Sequence, residues 1–333
     1  MKDALLKFFN EHGITINIDD YNFLDTDQHK IILLGLGGSY AYGTNVEGSD
    51  VDIRGIAHNT AEEILLGEDF EQTVDVTTDT TIYSLKKMLT LLANCNPNTI
   101  EILGLDPDQY VYKSYVGQKL IKNKDMFLSK RCINSFMGYA NQQLYRLQQK
   151  SLVAMSTAEF NAHIIKTLGF MQEELKTKYN MPNVSFALDT DGKIVMNANI
   201  TNYPMEDFSA ILGVLNKTIR DYNKNSARNA KALAHNKINK HAMHLLRLYM
   251  MCEDILLYGE INTHRVKEHD LLMSIRNGEF TNEDGKPTTE FYDLVHEYEA
   301  RIEAAKKKTV LPDQPDMKRI RMFLMEANLD IVK

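Results

Sequence analysis

The chain has 333 residues, 44% hydrophobic and 25% charged, with 38 Lys and Arg against 45 Asp and Glu and a net charge of −7. Those proportions exclude collagen-like, coiled-coil and largely disordered chains, and the length allows roughly two domains of about 100–200 residues each. The acidic balance argues against a protein that grips nucleic acid along a whole basic face, so any nucleic-acid contact has to be local.

In chain order, the segment from about Lys2 to Asn10 reads as a short amphipathic helix without a signal peptide's uninterrupted apolar stretch. Lys30-Ile31-Ile32-Leu33-Leu34 is a β-like run that ends in glycines. Val51 to Ala57 alternates apolar and polar positions, as a half-buried strand does, and Thr73 to Thr77 is a further β-branched segment. Ile82, Leu85, Met88, Leu89 and Leu92 recur at helical spacing and predict a helix that stops before Asn96-Pro97-Asn98. From about Asp125 the texture is helical, with long helices expected over Cys132 to Gln149, Thr157 to Lys178, Met205 to Tyr222, Ala227 to Tyr258 and Thr289 to Lys308. Two β-prone runs, Val184 to Leu188 and Lys193 to Met196, flank an Asp-Gly turn and predict a hairpin. The organisation expected is an α/β domain over residues 1–120 and a mainly helical domain over 121–333. No stretch approaches the roughly 20 apolar residues that span a bilayer. Cys95, Cys132 and Cys252, odd in number and widely spaced, read as buried thiols. A cytoplasmic protein without membrane contact is expected.

The stretch that carries chemistry is Gly35-Leu36-Gly37-Gly38-Ser39-Tyr40-Ala41-Tyr42-Gly43-Thr44, continuing to Gly48-Ser49-Asp50-Val51-Asp52-Ile53-Arg54-Gly55. A strand enters a Gly-Gly-Ser turn, ten residues separate Ser39 from Asp50, and period-two alternation puts Asp50 and Asp52 on one face. Clustered carboxylates repel unless protons or cations neutralise them. One or two carboxylates completed by water and substrate phosphates are what Mg²⁺ prefers. Glycines let the backbone approach a phosphate closely, and the neighbouring hydroxyl can donate to it.

Gly38-Ser39, the gap and Asp50-Val51-Asp52 resemble the signature of the DNA polymerase β-type nucleotidyltransferase superfamily. More narrowly, Gly-Ser-Tyr-Ala-Tyr-Gly-Thr followed by Ser49-Asp50-Val51-Asp52-Ile53-Arg54-Gly55 resembles the predicted nucleotidyltransferases of RNA-repair gene clusters. Asn96-Pro97-Asn98 with Glu101, Lys240-His241-Ala242-Met243-His244 through Arg247, and Ile275-Arg276-Asn277-Gly278-Glu279 extend the likeness down the chain. The resemblance implies an α/β (α+β) polymerase β-like domain with a mixed sheet, followed by a mainly helical domain. It also implies transfer of a nucleoside monophosphate from an NTP, ATP foremost, to a hydroxyl acceptor such as an RNA end, releasing pyrophosphate. Two Mg²⁺ ions, for which Mn²⁺ can substitute, would be held by Asp50 and Asp52, and Gly38, Ser39 and Ser49 would face the nucleotide.

The superfamily adds a third acid from a neighbouring strand, a catalytic metal ligand supporting the ion that activates the incoming hydroxyl, for which Asp79, Asp75 and Glu71 are the candidates. Asp79 is preferred, because it leads into the segment before Asn-Pro-Asn; the alternative is that it caps the following helix. Lys237, Lys240, His241, His244 and Arg247 fall at offsets 0, 3, 4, 7 and 10, broadly one side of a helix. Read alone, that pattern is a solvated face; the resemblance makes Lys240, His244 and Arg247 nucleotide-binding. Arg54 could balance the acids or touch phosphate, and Arg276 is expected to pair with Glu279. Two rivals remain: transfer of AMP to a protein or small molecule, and a noncatalytic nucleotide sensor.

Overall fold

The computed structural model describes residues 1–151, 237–282 and 286–333, together with Ser185–Leu188, Ile194–Asn197 and a few single positions near them. By its contacts the chain forms two compact units. The first comprises Met1–Gln142, Met243–Asn277 and Glu290–Lys333; the second comprises Gln143–Ala242 and Gly278–Thr289.

The first unit is built on a five-stranded mixed sheet in the order β3-β4-β2-β1-β5. Its strands are β1 (Ile31–Gly37), β2 (Asp52–Ala57), β3 (Gln72–Asp75), β4 (Thr80–Ser84) and β5 (Tyr110–Lys113). Every residue of β1 is buried, as the unbroken Ile-Ile-Leu-Leu run requires of a strand covered on both faces. β2 pairs antiparallel with β1 and parallel with β4, in registers that set Gly37 opposite Asp52 and Ile53 opposite Thr80. The C-terminal end of β1 and the N-terminal ends of β2 and β4 therefore share one end of the sheet, and this sharing assembles the site.

Thr80–Ser84 is a strand, which corrects the helix expected from Ile82 onward. Its β-branched and aromatic residues pair along β2, and Ile82 points into the core at 2% exposure. The helix begins only at Leu85, where Ser84 caps it by accepting from the Lys87 amide at 3.1 Å. The apolar spacing that suggested a longer helix belongs to α4 (Leu85–Ala93), which buries Leu85, Met88, Leu89 and Leu92.

Besides short single turns, among them Phe23–Thr26 and Pro97–Ile100, the described helices include α1 (Lys2–Glu11), α2 (Gly38–Tyr42), α3 (Ala61–Leu66), α5 (Tyr115–Lys122), α6 (Arg131–Ser151), α7 (Lys237–Tyr258), α8 (His269–Asn277), α9 (Thr289–Lys308) and α10 (Met317–Val332). The units do not part at residue 120. α10 packs on α3 and α4 through one face carrying Ile320, Phe323 and Ala327, so the last helix of the chain belongs with the sheet. The division falls instead within α6 and α7.

In the second unit β6 (Ser185–Leu188) and β7 (Ile194–Asn197) pair antiparallel, as the hairpin pattern predicts. The Asp-Gly turn between them, the helices expected over 157–178 and 205–222, and the start of the one expected from 227 lie outside the described residues. No described helix is long and apolar enough to cross a membrane. All three cysteines are free and buried, and burial pushes the Cys95 thiol up to about 11, which leaves it protonated and unreactive.

Ile53, fully buried between the two residues that build the site, tests the sheet. Ile53→Ala should cost about 2–5 kcal/mol in chemical denaturation. Val76→Ala, at a position 86% exposed, should stay within about 0.5 kcal/mol.

Candidate active site

β1 ends at Gly37, and the chain turns at once into α2. Gly38 has φ +55, and a Cβ built on it would collide with Asp52 Oδ2 and stand 2.6 Å from Asp52 Cγ. Only glycine permits both the backbone angle and the contact, so the turn and the Asp52 carboxylate lie directly against each other. Ser39 follows, 5% exposed, with its carbonyl accepting from the Thr44 amide at 2.9 Å. Gly43 closes α2 with φ +69, and the His264 ring fills the space where a side chain would go.

Asp52 is the first residue of β2, and the exposed Asp50 stands in the loop just before it. Ser49 accepts from the Val46 amide at 2.9 Å and from Arg276 Nη2 at 3.3 Å. Arg276 is thus turned to Ser49, and the expected pair with Glu279 is not among the ion pairs of the described residues. Asp79 stands immediately before β4 with a left-handed φ of 45, unusual for a residue with a side chain. That conformation lets its carbonyl accept from the Ile53 amide at 3.3 Å and from Arg54 Nη1 at 2.6 Å. Arg54 Nη2 reaches Asp52 Oδ1 at 3.3 Å and Asp79 Oδ1 at 3.4 Å.

The other two candidates for a third acid are engaged elsewhere. Asp75 closes its own turn by accepting from the Thr78 amide at 2.8 Å and the Thr78 hydroxyl at 2.9 Å. Glu71 lies at the opposite end of the sheet, where its carbonyl accepts from Ser84, and its carboxylate accepts from Lys87 at 3.0 Å.

Beside these acids lies a cleft of about 460 Å³. Thr15, Asn17, Asp20, Ser49, Asp50, Thr77, Thr78 and Asp79 supply its polar lining, and among the described residues no Lys or Arg lines it. Among the described residues no three His, Cys, Asp or Glu side chains stand together as a ready-made metal cage. The donor set still fits Mg²⁺, which takes one or two carboxylates and draws its remaining ligands from water and substrate phosphates. Asp50, Asp52 and Asp79 are all-oxygen donors at one end of the sheet.

Beneath the turn is a buried charged cluster that sequence reasoning placed differently. Tyr42, the last residue of α2, donates to Glu101 Oε1 and Oε2 at 3.0 and 2.9 Å. Arg247 Nη1 donates to Glu101 Oε2 at 3.2 Å, and its guanidinium lies 3.5 Å over the Tyr42 ring. Arg247 is 1% exposed, which corrects its reading as a solvent-facing phosphate ligand. His244 Nδ1 lies 3.0 Å from Arg247 Nη2, within the same cluster. Burial pushes the Glu101 carboxyl and the Tyr42 phenol up; Arg247 opposes both shifts. Lys240 is exposed and belongs to the second unit, as does His241, which lies 3.1 Å from Gln143 Oε1. The Asn-Pro-x-x-x-Glu spacing was the one signal for Glu101, and a helical wheel cannot distinguish a buried arginine from an exposed one.

A mixed sheet that carries a Gly-Gly-Ser turn against the head of the strand begun by Asp52 is the arrangement expected from the resemblance to polymerase β-like nucleotidyltransferases. Residues 15–188, just over half of the chain, match RlaP, the RNA repair pathway DNA polymerase beta family, and the chain belongs to that family. No curated protein and no solved structure matches the chain.

The buried cluster makes a stability prediction. Arg247→Met strands the Glu101 charge and should cost about 3–5 kcal/mol in chemical denaturation of the full chain. Adding Glu101→Gln should recover part of that loss. An Arg247→Met variant as stable as the parent would return Arg247 to the surface.

Proposed function

We propose that the chain transfers a nucleoside monophosphate from an NTP, ATP foremost, to the hydroxyl of an RNA end under repair. The acceptor oxygen bonds to the α-phosphorus, the bond from that phosphorus to the bridging oxygen breaks, and pyrophosphate leaves. The observation that carries this reading is the convergence of Asp50, Asp52, Asp79 and the Gly38 turn on one end of the sheet. Two bound Mg²⁺ ions, or Mn²⁺ in their place, supply activation of the acceptor hydroxyl and neutralise charge on the leaving pyrophosphate.

Asp50 and Asp52 would hold both ions. Asp79, at the cleft, would assist on the acceptor side and draw the proton away from the attacking oxygen. The peptide groups at Gly38 and Ser39 would take the triphosphate, with the Ser49 hydroxyl beside them. The glycine permits close backbone approach, and the contacts of Tyr42 and Gln109 that hold α2 would keep the turn in place. His244 and Arg247 would serve indirectly, by holding Glu101 and Tyr42 and through them the turn.

The cleft favours a second reading for the acceptor. Its lining carries Asp20, Asp50 and Asp79 and, among the described residues, no Lys or Arg, a poor setting for a polyanion. That asymmetry supports transfer of AMP to a protein or a small polar molecule.

The test incubates the protein with Mg²⁺ or Mn²⁺ and each α-phosphate-labelled NTP, offering total RNA, intact or trimmed tRNA, and a protein lysate in parallel. Label should enter RNA and fall at least about a thousandfold in an Asp50→Ala, Asp52→Ala variant. Asp79→Asn should lower kcat more than it raises the KM for ATP. Label in protein selects the second reading. No label anywhere, with nucleotide binding unaltered in the double variant, leaves a noncatalytic sensor.

A further inference from the structure

Arg54 lies two residues beyond Asp52 on β2, and the fold places it between the two carboxylates at the heads of β2 and β4. Its contacts are unequal. Nη1 is fixed chiefly by backbone carbonyls, that of Asp79 at 2.6 Å and that of Ile53 at 3.0 Å, with the Asp79 carboxylate farther off at 3.5 Å. Nη2 touches the carboxylates at 3.3 Å for Asp52 and 3.4 Å for Asp79. A guanidinium–carboxylate hydrogen bond at full strength runs about 2.7–2.9 Å, so the backbone grip is tight and the carboxylate grip is loose. The side chain is 24% exposed, which leaves it within reach of a ligand arriving at the acids.

We propose that Arg54 is a tethered place-holding cation: it neutralises Asp52 and Asp79 while no metal is bound, and gives up both when a divalent cation arrives with the nucleotide. The inference rests on the proposed metal-dependent transfer and adds to it a residue that couples the two ligands. Two carboxylates brought together at the end of a sheet repel, and a nearby fixed positive charge offsets that repulsion. The same charge opposes a divalent ion, so Arg54 and the metal compete for one pair of carboxylates. Losing the carboxylates does not dislodge Arg54, because its carbonyl anchors remain. Nη2 is then free to donate to a phosphate oxygen of the nucleotide. A triphosphate therefore relieves the competition, and metal and nucleotide bind better together than either does alone.

The left-handed Asp79 fits this role. Its φ of 45 turns the carbonyl onto Arg54 Nη1 at 2.6 Å, while its carboxylate stays at the looser distances of 3.4 Å from Nη2 and 3.5 Å from Nη1. One residue thus supplies both the permanent anchor and the releasable partner. Lysine, with a single compact ammonium, could supply the charge but could not hold a carbonyl with one nitrogen and a carboxylate with another.

The test measures Mn²⁺ affinity of the full chain by electron paramagnetic resonance, with and without an ATP analogue that cannot be cleaved between the α- and β-phosphates. Arg54→Gln should bind Mn²⁺ alone about tenfold more tightly than the parent, and the gain in Mn²⁺ affinity on adding the analogue should shrink by a similar factor. Arg54→Lys should stay near the parent in Mn²⁺ affinity without nucleotide. A residue with a merely structural role would not raise metal affinity when removed. Mn²⁺ binding that Asp52→Asn abolishes, but that Arg54→Gln leaves unchanged or weakens, overturns this inference and leaves the transferase reading standing. No Mn²⁺ binding by the parent, with or without the analogue, overturns both.

Discussion

Gly37 sits opposite Asp52 in the β1–β2 ladder, and Gly38 then turns so tightly that its missing Cβ is where the Asp52 carboxylate lies. The remaining geometry of the site follows from that contact. It brings a glycine turn against an acid, and it does so at the end of a central strand buried along its whole length. β4 runs parallel to β2 on the other side, so the residue before β4 arrives at the same end of the sheet. Asp79 occupies that position, and Arg54 is held between the two strand heads.

The turn is held from below as well. α2 is only five residues long, too short to be stable by its own hydrogen bonds. Tyr42 ties its end to Glu101, Arg247 covers the Tyr42 ring, and Gln109 Nε2 donates to the carbonyls of Tyr40 and Ala41 at 3.2 and 3.1 Å. Thr263 adds a bond from its hydroxyl to the Glu101 carbonyl at 2.7 Å. Segments far apart in sequence therefore meet at one short helix, which explains why α7 from Met243 onward belongs with the sheet. A buried ion pair of this kind is weak evidence for stability in itself, but removing one partner leaves a charge without compensation.

The motif was legible because its signals are local. Glycines mark a special backbone, and the Gly38–Asp52 contact lies within a short stretch of sequence, whereas the shared face expected for Asp50 and Asp52 is not formed by a strand, because β2 begins only at Asp52. The hairpin of β6 and β7 and the span of α9 were legible for the same reason. Ile82 misled because one apolar residue at helical spacing from Leu85 also fits a strand that ends where the helix begins, and only pairing with β2 decides between them. Arg247 misled because periodicity gives a face and not what covers it. Its partner Glu101 is 146 residues away. The place of α10 beside α3 and α4 is likewise tertiary, and no boundary drawn from composition at residue 120 could have shown it. The role of Arg54 depends on a left-handed Asp79, and no residue type announces that conformation.

Acids, turn and arginine together make one claim: this end of the sheet is where a metal–nucleotide complex binds. The most direct measurement is anomalous scattering from Mn²⁺ in crystals grown with an ATP analogue uncleavable between the α- and β-phosphates. The account predicts Mn²⁺ at the carboxylates of Asp50 and Asp52, with the triphosphate along Gly38 and Ser39. Mn²⁺ and triphosphate bound elsewhere, with Arg54 still on Asp52 and Asp79, would contradict it.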